Sequence, residues 1–186
     1  MAKTDSNPCE LILASASPRR SELLRQIGME FTVLPADIDE QVLPGEQPDV
    51  YVRRMALEKA AAGMDLCAGK KVCVLAADTA VVIKGRILGK PRDREDALEM
   101  LVALSNTTHQ VMSAVTVSDG ERVEDMLSVT DVSFGPVTSQ QAEVYWGSGE
   151  PADKAGAYGI QGQGAIFVRS LRGSYTGVVG LPLYET

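Results

Sequence analysis

The stretch LILASASPRRSELLRQIGMEFTVL, residues 11–34, decides the fold. Its first four residues, Leu11 to Ala14, predict a short buried strand that runs directly into Ser15-Ala16-Ser17. Ser17 then stands where a helix N-cap is wanted and Pro18 at the first helical position. Leu23, Leu24 and Ile27 supply an apolar face, and Gly28 closes the helix. Phe31 to Leu34 reads as the next strand and enters the acidic segment Asp37-Ile38-Asp39-Glu40. Strand, helix, strand at this spacing is a βαβ-type unit. A strand feeding a helix in this way aims free backbone N–H groups and the positive helix end at one point, which attracts anions. Arg19 and Arg20 place two guanidinium groups in the first turn, where cations oppose the helix dipole. A bound anion explains them better than a solvent-facing helix start does.

Downstream, Pro44, Gly45 and Pro48 mark a loop, and a helix is predicted from about Asp49 to Asp65 with Val52, Met55, Ala56, Lys59 and Ala60 along it. Val72 to Ala76 predicts an apolar strand that ends at Ala77-Asp78-Thr79. Val81 to Ile83 and Arg86 to Leu88 flank a Lys84-Gly85 hairpin turn, and Asp93 opens a helix with Ala97, Met100, Leu101 and Leu104 on one face. From His109 onward the texture is β-rich. Val111 to Val117 and Val123 to Phe134 flank Asp119-Gly120, a strong hairpin signal. Thr138 and Gln141 make a capping box for another helix. A glycine-dense stretch, Gly147 to Gly164, precedes a strand predicted over Ala165 to Val168, and a last strand is predicted around Val178-Val179. The elements describe one α/β domain, residues 1–186, with an elongated, strongly twisted mixed sheet.

At 186 residues the chain is long enough to bury a core without disulfides or a structural metal. Its net charge of −7 disfavours nonspecific nucleic-acid binding, which wants a basic surface, yet a local cluster of Arg and Lys can still serve a small anion. Cys9, Cys67 and Cys73 are odd in number and lack C-x-x-C spacing, so a structural zinc site is disfavoured and a reducing compartment is expected. The polar opening Met1 to Pro8 lacks the apolar core of a signal peptide, and no apolar run nears the roughly 20 residues of a bilayer span. The expectation is a soluble, cytoplasmic protein.

Two readings stand for Asp78-Thr79: a carboxylate that binds a divalent cation or orients water, and an Asp that starts a turn. Asp37, Asp39 and Glu40 carry hard-cation donors but by themselves read more readily as a solvated acidic loop. Lys59, inside a mostly apolar helix, and Lys90 can neutralise charge on a polyphosphate, though each singly is more often a surface residue. The glycine-rich segment from Asp153 to Gly162 suits either close backbone approach to a ligand or a tight connection, and it is neither a Walker A loop nor a G-x-G-x-x-G fingerprint. His109 is the only histidine and has no G-x-S-x-G partner, so a serine hydrolase is disfavoured and a structural hydrogen bond is expected of it. Trp146 and the few other aromatics lack the basic–aromatic interleaving of single-strand binders.

Taken in order, Leu13 to Arg20, Glu58-Lys59-Ala60, Ala77-Asp78-Thr79, Lys90-Pro91, Asp96-Ala97 with Met100-Leu101, Leu104-Ser105 with His109, Glu150-Pro151, Asp153 to Gly156, Tyr158 to Gly162 and Gly173 to Leu183 resemble the Maf family of nucleotide pyrophosphatases. The resemblance spans about Leu11 to Leu183. It implies a mixed sheet flanked by helices in two lobes with a cleft between, and hydrolysis of a nucleoside triphosphate to the monophosphate and pyrophosphate, aided by a divalent cation. It assigns Asp78 as proton acceptor, Ser17, Arg19, Arg20, Lys59 and Lys90 to phosphate binding, and Arg19, Thr79 and Gln161 to base selection. The motif set is similar to the branch acting on dTTP and UTP, whereas the 7-methyl-GTP branch differs at these positions. Gly89 stands where many relatives carry Glu, Asn106 where a Gly often follows Leu-Ser, and relatives usually continue past Glu185-Thr186 into a further helix. A homodimer is also implied.

The resulting mechanism has Mg²⁺ or Mn²⁺ held by Asp78 and Glu40, with Asp78 activating water and the cationic residues stabilising the departing pyrophosphate. The resemblance also admits a nucleotide-binding regulator of septum formation with little turnover, or a pyrophosphatase of another base preference such as 7-methyl-GTP; direct nucleic-acid binding is a weaker rival that the net charge opposes.

Overall fold

The computed structural model describes residues 9–186; the polar opening Met1 to Pro8 lies outside them. The strand–helix–strand unit forms as β1 (Glu10–Leu13), α1 (Pro18–Gln26) and β2 (Thr32–Val33), with β1 and β2 parallel. Gly28, at φ +76°, reverses the chain after α1, and the amides of Gly28 and Met29 return to the carbonyls of Arg25 and Leu24. Then come α2 (Pro48–Leu66), β3 (Val72–Ile83), β4 (Arg86–Leu88), α3 (Arg94–Leu104), β5 (Thr108–Ser118), β6 (Val123–Phe134), α4 (Ser139–Gly147), β7 (Val168–Arg172) and α5 (Tyr175–Val179). Several local signals act as read. Lys84 and Gly85 both adopt positive φ in the β3–β4 hairpin, Asp93 caps α3 through the Asp96 amide, and Thr138 with Gln141 closes a capping box on α4. Asn106 sits at φ +52°, a left-handed position that asparagine tolerates well.

Among the described residues seven strands form one mixed sheet in the order β2-β1-β3-β5-β6-β7, with β4 also on β3. β5 covers one edge of β3 through Val74–Val82. The other edge is shared: β1 pairs with Val72–Leu75 in parallel, and β4 pairs with Val81–Ile83 antiparallel. Between them, residues 76–80 have no strand partner on that edge.

Alternation along β3 sends its two sets of side chains to different cores. Val72, Val74, Ala76, Ala80 and Val82 pack toward α2, which covers one face of the sheet. On the opposite face Leu75 and Ala77 join Leu23, Leu24, Val179 and Leu181 under α1 and α5, while Val81 and Ile83 join Leu101, Leu104, Phe134 and Tyr145 under α3 and α4. The two lobes are these two masses. Fully buried side chains such as Leu24 and Leu101 contribute about 1.5–3 kcal/mol each.

The structure corrects three local expectations. β3 does not end at Ala77-Asp78-Thr79: it runs unbroken for 12 residues, with Asp78 opposite Ala114 and Thr79 opposite Ser113. The polar pair interrupts the apolar run but not the strand, because side chains from elsewhere satisfy both residues. The strand expected over Ala165 to Val168 is a 3₁₀ turn over Gln163–Phe167, and pairing starts only at Val168. Glu150 takes the amides of Gln163 and Gly164 there, which pins the segment away from the sheet. Val178-Val179 lies in the short helix α5, capped by Ser174 on the Gly177 amide and ended by Gly180 at φ +132°. Val178 packs toward one core and Val179 toward the other, which imitates a doubly buried strand in sequence.

His109 is structural, as expected: it is 2% exposed, its Nε2 lies 2.8 Å from the Tyr158 hydroxyl, and its ring meets Phe134 edge-on. Burial pushes its pKa down to about 4. The unfolded chain therefore binds this proton more readily than the folded one, so the contribution is whole above about pH 6.5 and is lost as pH falls toward 4. We expect stability to fall by about 3 kcal/mol over that window, and His109→Gln to flatten the curve in urea unfolding followed against pH.

Candidate active site

The gap on the β3 edge opens into a cleft of ≈ 810 Å³ between the lobes. Nine residues singled out from sequence line it: Ser17, Arg19, Arg20, Glu40, Lys59, Asp78, Thr79, Lys90 and Gln161; Asp37 and Asp39, the other carboxylates of the acidic segment, do not. Its floor is residues 78–81 of β3, and the start of α1 forms one wall. Pro18 has no N–H to offer, so the first-turn amides of Arg19 and Arg20 carry the positive helix end. The Ser17 hydroxyl makes no capping bond, although Ser17 holds the N-cap position.

Asp78 points to the α2 face, where Lys59 meets it. Lys59 Nζ lies 2.7 Å from Asp78 Oδ1 and 2.6 Å from Glu40 Oε1. Lys59 and Asp78 are each 8% exposed, so neither charge is tolerable alone; the pair exists because each answers the other. Burial pushes the Glu40 carboxyl up, but its bond to Lys59 and the nearby positive charges outweigh this and hold its pKa below the usual value. Tyr51 donates to the Glu40 carbonyl over 3.1 Å, and its own pKa is pushed up to about 12 by burial and by the charges of Asp78 and Glu40.

Thr79 points to the other face. Its hydroxyl lies 2.8 Å from Ser113 Oγ and accepts from Arg20 Nη2 at 3.4 Å. Arg20 is buried and donates from Nε to the Gly180 carbonyl at 2.7 Å and from Nη1 to Ser15 Oγ at 3.0 Å. It therefore ties the ends of β1 and α5 to the β3 floor, with only its remaining Nη protons left for a ligand. Burial lowers the Arg20 pKa below the ordinary guanidinium value, while the charge of Asp78 pulls the other way. Arg19 is freer, with Asp153 at 3.6 Å, and Lys90 is largely exposed with Glu40 at 4.0 Å.

Sequence reasoning gave no individual site role to Ser15, Tyr51, Glu150, Asp153 or Lys154, which also line the cleft. The signal for the last three was present: charged residues inside a glycine-rich segment, read only for its backbone. Lys154 donates to the Glu150 carbonyl and to Asp153 Oδ1, both at 2.8 Å. In all, five cationic side chains and four carboxylates line the cleft, a net excess of one positive charge.

The family described as Maf-like protein matches residues 10–186. The chain belongs to the Maf family. It is 54% identical over 180 residues to a protein of Pseudoalteromonas atlantica named dTTP/UTP pyrophosphatase, covering 95% of this chain and 93% of that one. A Maf relative of the same name from Saccharophagus degradans is 56% identical, covering 97% and 87%. The Ham1 protein of Staphylococcus aureus has 16% identity and a TM-score of 0.48 over 67% of this chain and 71% of that one. No described helix of this Maf protein is long and apolar enough to cross a membrane, and its three cysteines are free.

Among the described residues no three His, Cys, Asp or Glu side chains gather as a cation site. Asp78 and Glu40 nevertheless converge on one cationic point, the Lys59 ammonium. Two carboxylates with the rest of the shell left to water and phosphate oxygens is a donor set that suits Mg²⁺ or Mn²⁺.

Proposed function

We propose that the protein hydrolyses dTTP and UTP to the nucleoside monophosphate and pyrophosphate, with a divalent cation. The observation that carries this reading is the buried Lys59–Asp78–Glu40 cluster on the cleft floor, in the same cleft as the amide-bearing start of α1. The names of the relatives at 54–56% identity support the same substrates. A cleft of ≈ 810 Å³ falls in the range that encloses a nucleotide. Its one excess positive charge falls short of the roughly four negative charges of a triphosphate, which gives a divalent cation something to offset.

Each residue then has work that follows from its place. Lys59 occupies Asp78 Oδ1, which leaves Oδ2 to accept the proton of a water as its oxygen attacks the α-phosphorus. The bond from that phosphorus to the bridging oxygen breaks, and the pyrophosphate leaves with the electron pair. Arg19, Lys90, the Ser17 hydroxyl and the first-turn amides of α1 hold the phosphates and stabilise the leaving charge. Arg20 fixes the walls around them and offers its remaining protons to the same phosphates. Asp78 and Glu40 would hold the metal, which supplies Lewis-acid stabilisation of phosphate charge. Gln161, with an amide that both donates and accepts, reads the pyrimidine edge together with Arg19, and Thr79 supports that side from the floor.

Incubating a panel of dTTP, UTP, CTP, dATP, GTP and 7-methyl-GTP with Mg²⁺ or Mn²⁺, and identifying the products, tests this. Monophosphate plus pyrophosphate is expected, fastest from dTTP and UTP. Diphosphate plus phosphate, or tight binding without turnover under either metal, overturns the reaction class. A fastest 7-methyl-GTP overturns only the base preference.

A further inference from the structure

The loop that carries Gln161 is bolted at both ends by two residues outside it. Tyr145, 2% exposed on α4, donates to Glu150 Oε1 at 2.8 Å and accepts from the Gly159 amide at 3.1 Å. Glu150 takes the Gln163 amide on Oε2 at 2.8 Å and the Gly164 amide on Oε1 at 3.3 Å. Gly159 opens the loop, and Gln163 and Gly164 close it. One tyrosine–glutamate pair thus fixes the two ends of a turn with Gln161 between them. Space confirms how closely the loop is laid on this pair: a Cβ at Gly162 would run into the Glu150 carboxylate, and one at Gly164 would come within 2.6 Å of the Tyr145 hydroxyl. Gln161 lines the cleft between these two anchored ends, so the backbone that carries it sets where its side chain starts. Burial raises the Glu150 pKa, but the loop amides and the Tyr145 hydroxyl outweigh this and keep it below the usual carboxylate range, so the acceptor is an ionised group at neutral pH.

We infer that Tyr145 and Glu150 are positioning residues for base selection: they hold the Gln161 loop in register with the cleft and take no part in the phosphate chemistry. The inference rests on the reading of Gln161 as the base contact. It separates the cleft into a phosphate half built on β3, α1 and α2, and a base half whose geometry is stored in a contact between α4 and the turn after it.

Four variants test it: Gln161→Ala, Tyr145→Phe, Glu150→Gln and Glu150→Ala. Each is measured for kcat and KM on dTTP and on GTP, with amide hydrogen exchange of residues 159–164. For Tyr145→Phe the preference for dTTP over GTP in kcat/KM is expected to fall about tenfold, chiefly through KM for dTTP, with kcat kept within about threefold and faster exchange at Gly159. Glu150→Gln, which retains one acceptor oxygen and the side-chain shape, is expected to restore part of that preference relative to Glu150→Ala. Equal loss of kcat on both nucleotides with the preference unchanged would overturn the inference and mark the pair as merely structural. A preference that collapses in Gln161→Ala but survives in Tyr145→Phe and Glu150→Ala overturns the positioning role alone. A preference untouched by Gln161→Ala overturns the base-contact reading and the inference with it.

Discussion

Asp78→Asn is expected to lower kcat about 10³-fold while the protein stays folded. Asparagine keeps the shape of the side chain and can still accept from Lys59, but it cannot take a proton from water, and its neutral oxygen is a poorer ligand for a hard cation. The loss of charge is tolerated because Lys59 keeps a second carboxylate, Glu40, at 2.6 Å. Stability is therefore expected to change by about 1 kcal/mol, small beside the loss of turnover. Steady-state rates with dTTP together with a thermal unfolding curve on the same sample check both halves. A variant that retains more than a tenth of the rate would remove Asp78 from the chemistry.

Lys59→Met should cost far more stability. Methionine matches the length of the lysine stem and leaves Asp78, 8% exposed, without its cation and with Glu40 nearby. Breaking a buried pair in this one-sided way costs about 3 kcal/mol, which for a chain of this size lowers Tm by roughly 10 °C. Glu40 is half-exposed and can turn away, so the larger share of the penalty falls on Asp78. Turnover should also fall, about a hundredfold, as the carboxylate is no longer held in place. The double variant Lys59→Met with Asp78→Asn should recover most of the lost stability and none of the activity. Calorimetry of the four proteins in the cycle measures this coupling directly.

What was legible in the sequence was what depends on neighbours within a few positions. The strand into the Ser17-Pro18 helix start, the Lys84-Gly85 turn and the Thr138–Gln141 box each act through local backbone bonds, and each formed as read. The nine site residues converge because β1 stops where β3 continues, yet that convergence has no local signature: Glu40, Lys59, Asp78 and Gln161 come from four separate segments. The unbroken course of β3 was hidden for the same reason. A carboxylate in a buried strand looks like a strand end until the lysine from α2 is placed beside it. Arg20 shows a further limit. Its residue type and helical position point to a ligand, and only the carbonyl of Gly180, 160 residues away, reveals that much of its bonding is internal.

Glu150 and Lys154 were given no role of their own because a glycine-rich segment draws attention to its backbone. Yet the glycines there are small because charged side chains press on them: Gly159 lies against the Lys154 stem and the Glu150 carboxylate. A charged residue next to a glycine cluster is thus a cue for a side chain that packs over bare backbone.

In the proposed reaction, water attacks the α-phosphorus of a pyrimidine nucleoside triphosphate held in the β3 gap. Turnover of dTTP in ¹⁸O-labelled water, with mass analysis of both products, tests it most directly. The label is expected in the nucleoside monophosphate, with none in the pyrophosphate. Label in the pyrophosphate, or a nucleoside diphosphate among the products, would contradict it.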